Sequence, residues 1–193
     1  MSWIRTASGK KFHYDDPEAN IIDIADIAEH LSKIPRFSGA CRPNLSVAQH
    51  SVHVASLMLR DNGTPTEGML GLLHDAHEAF MGGDIPTPAS DYLYEVTGHD
   101  MKALLVEPID AVIFAKFKLP HPLPEKMEAK LKRCDKAALV AEGVQLVRGF
   151  IPDPTWPTMD LSVRPMSEDQ ARRSFMELFT KLRTMREKAG QWR

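Results

Sequence analysis

Cysteine is scarce: Cys41 and Cys134 stand far apart in a chain of 193 residues. That number and spacing exclude a disulfide framework and a zinc knuckle, and a reducing, cytoplasmic setting is the expectation. No run of about 18 apolar residues occurs, so no transmembrane helix is predicted. The N-terminal Met1-Ser-Trp-Ile-Arg-Thr6 lacks the apolar core of a secretory signal. Neither sign of charge dominates, since 24 Lys and Arg against 26 Asp and Glu give a formal net charge of −2. That balance points to no nucleic-acid polymer and no anionic membrane as a partner. Short basic clusters such as Lys130-Leu-Lys-Arg133 read as solvated helix faces. With no internal repeat and no low-complexity linker, residues 1–193 read as one domain with a core of its own.

What the chain does contain is helix punctuation. Residues 3–14 suggest a small hairpin turning at Ser8-Gly9. Between 22 and 34, apolar residues at 24, 27, 28, 31 and 34 have helical spacing, and Asp23 suits the cap. Ser46-x-x-Gln49 is a capping box for a helix to about Arg60, closed by Asn62-Gly63. Thr64-Pro65-Thr66-Glu67 opens the next, which is predicted to carry His74, Asp75 and Glu78 before Gly82-Gly83. Prolines 86 and 88 predict an extended segment over 84–88. Further helices are expected over 99–117, with a bend at Pro108, and from Glu125 to about Val147. The four prolines between 150 and 165 indicate a surface loop. Ser167-x-x-Gln170 caps a last helix whose stripe of Phe175, Leu178, Phe179, Leu182 and Met185 is expected in the core. The fold class is all-α, a helical bundle with a small N-terminal β-hairpin.

The chemistry concentrates at Leu72-Leu-His-Asp75. An adjacent imidazole and carboxylate at the end of an apolar run must have their desolvation compensated, and a divalent cation does that well. Neighbours on a helix point about 100° apart, so one ion reaches both only at the helix edge, with further ligands from other helices. His50 and Asp135 sit in amphipathic helices of their own and are the natural candidates. Two imidazoles and two carboxylates suit Mn, Co, Fe, Ni or Zn, with Mg as a further choice, better than Ca. Glu78, one turn after His74, could orient or deprotonate a water. Asp84 could serve a leaving oxygen or a substrate hydroxyl. Arg36 in Pro35-Arg-Phe-Ser-Gly39 could bind phosphate through its fork, with Phe37 stacking on a base or sugar. Plainer readings stand beside these. His50 could be a hydrogen-bonded half-buried histidine, Glu78 and Asp84 solvated or capping carboxylates, and Arg36 a surface ion-pair residue. His53 and His77 offer rival ligand pairs with His50 and His74. Cys134 reads as a small core residue.

The ordered set Arg36-Phe37, Ser46-Val-Ala-Gln-His50-Ser, Leu73-His-Asp-Ala-His-Glu78-Ala, Gly83-Asp-Ile-Pro-Thr-Pro88 and Asp135-x-x-x-Leu-Val-Ala-Glu142 resembles the HD-domain phosphohydrolase superfamily. More narrowly, the chain is similar to small 5′-deoxynucleotidases and related prophage and phage nucleotide hydrolases. The match spans about residues 1–145, leaving 150–190 less diagnostic. The resemblance implies that His50, His74, Asp75 and Asp135 hold the metal and that Glu78 and Asp84 serve the water and the leaving group. It further implies that Arg36 grips phosphate, that Phe37 packs on the nucleoside, and that copies of the chain assemble as a dimer or larger homo-oligomer. The expected activity is release of orthophosphate from deoxyribonucleoside 5′-monophosphates. A deoxynucleoside triphosphohydrolase and a non-catalytic nucleotide-binding regulator are the alternatives. Few basic residues are placed to hold three phosphates. Two departures stand out: the Glu78–Asp84 interval is one residue longer than usual, and Ser90 occupies a place that is often lysine.

Overall fold

The computed structural model describes residues 2–192. Strands β1 (Trp3–Arg5) and β2 (Lys11–His13) pair antiparallel with Trp3 opposite His13, as the turn residues Ser8-Gly9 require. The remaining regular structure is helical, with α1 (Ile24–Lys33), α2 (Val47–Arg60), α3 (Pro65–Leu73), α4 (Glu78–Met81), α5 (Thr87–Thr97), α6 (Glu107–Lys116), α7 (Glu125–Leu146) and α8 (Glu168–Lys188) as its main elements. Among the described residues no helix is long and apolar enough to cross a membrane.

The predicted N-caps form, but the box expected at Ser46-x-x-Gln49 is only half made, because the Gln49 side chain turns to Arg164 O and Met166 N instead. Asp23 and Ser46 accept from backbone N–H groups in the first turns of α1 and α2, and Thr64 and Ser167 head complete capping boxes. α2 and α3 pack face to face at Gly71, where an added Cβ would meet Met58 Sδ at 2.8 Å and Ala55 Cα at 2.9 Å. α1, α7 and α8 surround this pair. Ile27, Leu31, Val54, Met58, Leu70, Leu72, Ala138, Phe175 and Leu182 form the shared core, with Cys134 fully buried among them.

Three expectations need correction. The helix expected to run through Glu78 is broken: α3 stops at Leu73, a turn occupies 74–77, and α4 follows. The His74 ring takes over the Gly71 carbonyl at 2.9 Å, and the amides of Ala76 and Glu78 bond three residues back rather than four. The segment 84–88 is not extended throughout, because α5 begins at Thr87. A proline in the first turn gives up only an N–H with no intrahelical partner, so Pro88 opens a helix there. Met185 is 39% exposed, and Arg186 takes its place in the core, donating to the carbonyls of Phe117 and Lys118 at 2.8 and 2.6 Å. Near Pro108 the expected bend takes the form of a π turn over Lys102–Val106, running into α6. Proline has no N–H to close the ordinary bond there.

Candidate metal centre

His50 lies in the first turn of α2, His74 and Asp75 in the turn after α3, and Asp135 mid-α7. The packing of α2 against α3 and α7 brings all of them to one point. His50 Nε2 is 3.1 Å from Asp135 Oδ1 and 3.6 Å from Asp75 Oδ2. His74 Nε2 is 3.2 Å from Asp75 Oδ2 and 3.8 Å from Asp135 Oδ1. One ligand atom each from His50, His74 and Asp135 lie within 4.8 Å of one another.

The donor chemistry fits a divalent cation. Nδ1 of His74 donates to Gly71, leaving Nε2 with the lone pair. That Nε2 is buried and makes no hydrogen bond, a state that a metal ion relieves. Nδ1 of His50 faces both oxygens of Glu142, at 3.0 and 3.1 Å, so its Nε2 likewise turns toward the centre. Burial opposes ionisation of Asp75 and Asp135. Without a cation the imidazoles take up protons instead: burial would lower the pKa of His74, but Asp75 and Asp135 raise it well above the ordinary value, and as imidazoliums His74 and His50 hold both carboxyls below the usual range. Of the rival ligands, His53 is drawn away, its Nδ1 2.7 Å from Glu142 Oε1. His77 stands outside the four-residue group but close to Asp75 and Glu78.

Beside this point a cleft of about 850 Å³ opens, lined by Arg36, Phe37, Asp75, Glu78 and Asp84 among others. Arg36 is buried, with Nη1 3.4 Å from Asp84 Oδ2 and 3.8 Å from Asp75 Oδ2, while its Nε has no partner. Burial would lower its pKa, but Asp75, Glu142 and Asp84 raise it, so it stays charged. The backbone that presents it is strained: Phe37 (φ 52°), Ser38 (φ 51°) and Gly39 (φ 80°) are all left-handed. Phe37 packs edge-on against Phe150 with ring centroids 5.8 Å apart.

Glu78 opens α4 and is buried with Oε2 lacking any partner. Burial, then the charges of Asp75 and Asp84, push its carboxyl up to about 9. The N-terminal hairpin fixes α4. Tyr14 donates to the Phe80 carbonyl, Phe12 stacks on Phe80 at 4.2 Å, and His30 bridges the Ala7 amide to the Ala79 carbonyl. Gly82 (φ 81°) then ends α4, and despite the longer interval Asp84 reaches Arg36.

The structure therefore brings together His50, His74, Asp75, Asp135, Arg36, Phe37, Glu78 and Asp84, and adds three features not anticipated. Glu142 orients His50 and His53. It is held down to about 2, because those two histidines outweigh the burial that would raise it. Its position seven residues, or two turns, after Asp135 was the available signal. His77 pairs through Nδ1 with Asp110 Oδ1 at 3.0 Å. Lys136 lies 4.2 Å over the ring of Trp156, and both line the cleft. Trp156 comes from the proline-rich loop, which Gln49 and Gln145 pin by hydrogen bonds to residues 161–166.

No family model matches the chain. It is 37% identical to the uncharacterized protein YfdR of Escherichia coli (strain K12), over 96% of this chain and 98% of that one. It is 31% identical to the uncharacterized protein RCAP_rcc00048 of Rhodobacter capsulatus, over 77% of this chain and 74% of the other. Identity of that extent, across nearly the full length of both chains, makes the protein a member of the YfdR family.

Proposed function

We propose that the protein is a metal-dependent phosphohydrolase of the HD-domain superfamily, acting on small deoxynucleotides. Its substrate is a deoxyribonucleoside 5′-monophosphate, split to nucleoside and orthophosphate. The observation that carries this reading is the convergence of His50, His74, Asp75 and Asp135 from separate elements, with the buried Nε2 of His74 making no hydrogen bond. A divalent transition ion held there would polarise a phosphoryl oxygen and acidify water. Arg36 neutralises phosphate charge through its fork, already preset by Asp84 and Asp75. With a cation bound beside it Glu78 would give up the proton it keeps in the metal-free protein, and as a carboxylate it would hold the attacking water and take its proton as the O–P bond forms. Asp84, whose carboxyl is raised chiefly by burial, delivers a proton to the departing 5′-oxygen. Phe37 and Trp156 offer flat faces to base and sugar.

A triphosphohydrolase is the second reading. Lys102 and Lys136 line the same cleft as Arg36 and Ser90, so the fold supplies cations that the sequence spacing did not suggest. A nucleotide-binding regulator without turnover is the third, and the homo-oligomeric, cytoplasmic setting belongs to the same proposal. The test is to incubate metal-loaded protein with each deoxynucleotide at the mono-, di- and triphosphate levels and identify the product. Orthophosphate from monophosphates supports the first reading, and inorganic triphosphate the second. Binding without turnover under any divalent metal would move the assignment to the third.

A further inference from the structure

The cleft contains ligand atoms that the four-residue centre leaves unused. One oxygen each of Asp75 and Glu78 and a ring nitrogen of His77 lie within 4.8 Å of one another, and all three side chains line the cleft. Two independent observations distinguish this group from a chance meeting of polar side chains. Glu78 is only 7% exposed, and its Oε2 has no hydrogen-bond partner. A buried carboxyl oxygen with no hydrogen-bond partner is a costly arrangement that a bound cation resolves. His77 Nδ1 lies 3.0 Å from Asp110 Oδ1 and donates to it, which leaves Nε2 as the nitrogen with a free lone pair. A carboxylate holding the far nitrogen of an imidazole is the usual support for a metal-ligating histidine. Arg36, the nearby cation, is already directed at Asp84 and Asp75.

We propose that Asp75, His77 and Glu78 bind a second divalent cation, with Asp75 shared between the two ions and Asp110 orienting His77. One imidazole and two carboxylates suit Mn, Co, Fe or Zn. Paired cations at a phosphoryl-transfer site act on the attacking and leaving oxygens together. Glu78 would then govern the water through the ion that it helps to hold. The inference deepens the phosphohydrolase reading but depends on it only through Asp75.

The test strips the full-length protein with a chelator, reloads it with Mn²⁺ by dialysis, and counts bound metal per chain. Electron paramagnetic resonance reports whether the ions are coupled. Two ions per chain with an exchange-coupled spectrum are expected for the unaltered protein. His77→Ala and Glu78→Gln should each retain a single isolated ion. Asp110→Asn should keep both sites but weaken the second by about 10–100-fold. One ion in the unaltered protein, or two in His77→Ala, would overturn the inference while leaving the first centre intact. No bound ion at all would remove the first centre as well. Should His77→Ala fail to fold, Asp110→Asn decides, and an unchanged second affinity would count against the site.

Discussion

Asp75 stands where the charged groups of the cleft meet, 3.2 Å from His74, 3.6 Å from His50 and 3.8 Å from Arg36. Asp75→Ala is expected to abolish both metal retention and turnover, measured by metal analysis and product assay. Retention at the unaltered level would show that the ligand is misassigned. Glu78 predicts a pH effect in the chelator-treated protein. Its folded pKa of about 9 lies above the ordinary value of 4.5, so folded and unfolded chains both keep the proton below 4.5. As pH rises toward 9 only the folded chain keeps it, and that contribution to stability declines. Glu78→Gln cannot ionise and should match the unaltered protein near pH 4.5, then exceed it by about 1–3 kcal/mol at pH 8. Denaturant titrations at the two pH values measure this, and a constant difference would refute it. His74 and Asp75 were legible because a polar pair interrupts an apolar run. Glu142 stood within the stretch Asp135-x-x-x-Leu-Val-Ala-Glu142, but its orienting role was not legible, since nothing local in the chain places His50 and His53 against it.

The α2–α3 contact sets the separation of His50 and His74. At Gly71 the flexible Met58 side chain could yield to a methyl group, but the Ala55 backbone at 2.9 Å could not. Gly71→Ala should therefore push the helices apart, with a loss of about 1–3 kcal/mol in stability. A parallel fall in metal affinity is expected, and thermal melting with metal titration checks both. An intact affinity would mean that the ligands move independently of the helix contact. The capped amphipathic helices were readable from sequence because local chemistry and burial agree in them. α5 was missed because it contains no buried residue, leaving Tyr92, Tyr94 and Val96 exposed, and because its leading prolines look like breakers. The break after Leu73 was hidden for another reason: a side chain, His74, replaces a backbone donor, which periodicity does not register.

No single helix pair assembles the candidate metal centre, because its proposed ligands come from α2, the 74–77 turn and α7. An ion that binds only the folded arrangement raises global stability, by about 2.7 kcal/mol at a hundredfold excess over Kd. In a chain of this size that corresponds to a Tm shift of roughly 5–10 °C on adding Mn²⁺ after chelation. Differential scanning calorimetry reads the shift, which should vanish in Asp75→Ala. A metal-independent Tm in the unaltered protein would contradict the centre. The all-α architecture was legible from the sequence, but its long-range ties were not. The delivery of Trp156 by a pinned loop and the bracing of α4 by the hairpin join residues that the sequence sets far apart. Proteolysis just after Tyr14 would strip the hydroxyl and the stacked ring that clamp Phe80, and with them the seat of Glu78. The clipped chain would keep the ligands His50, His74, Asp75 and Asp135 but lose the seat of the proposed second ion, so its metal count per chain should fall from two to one.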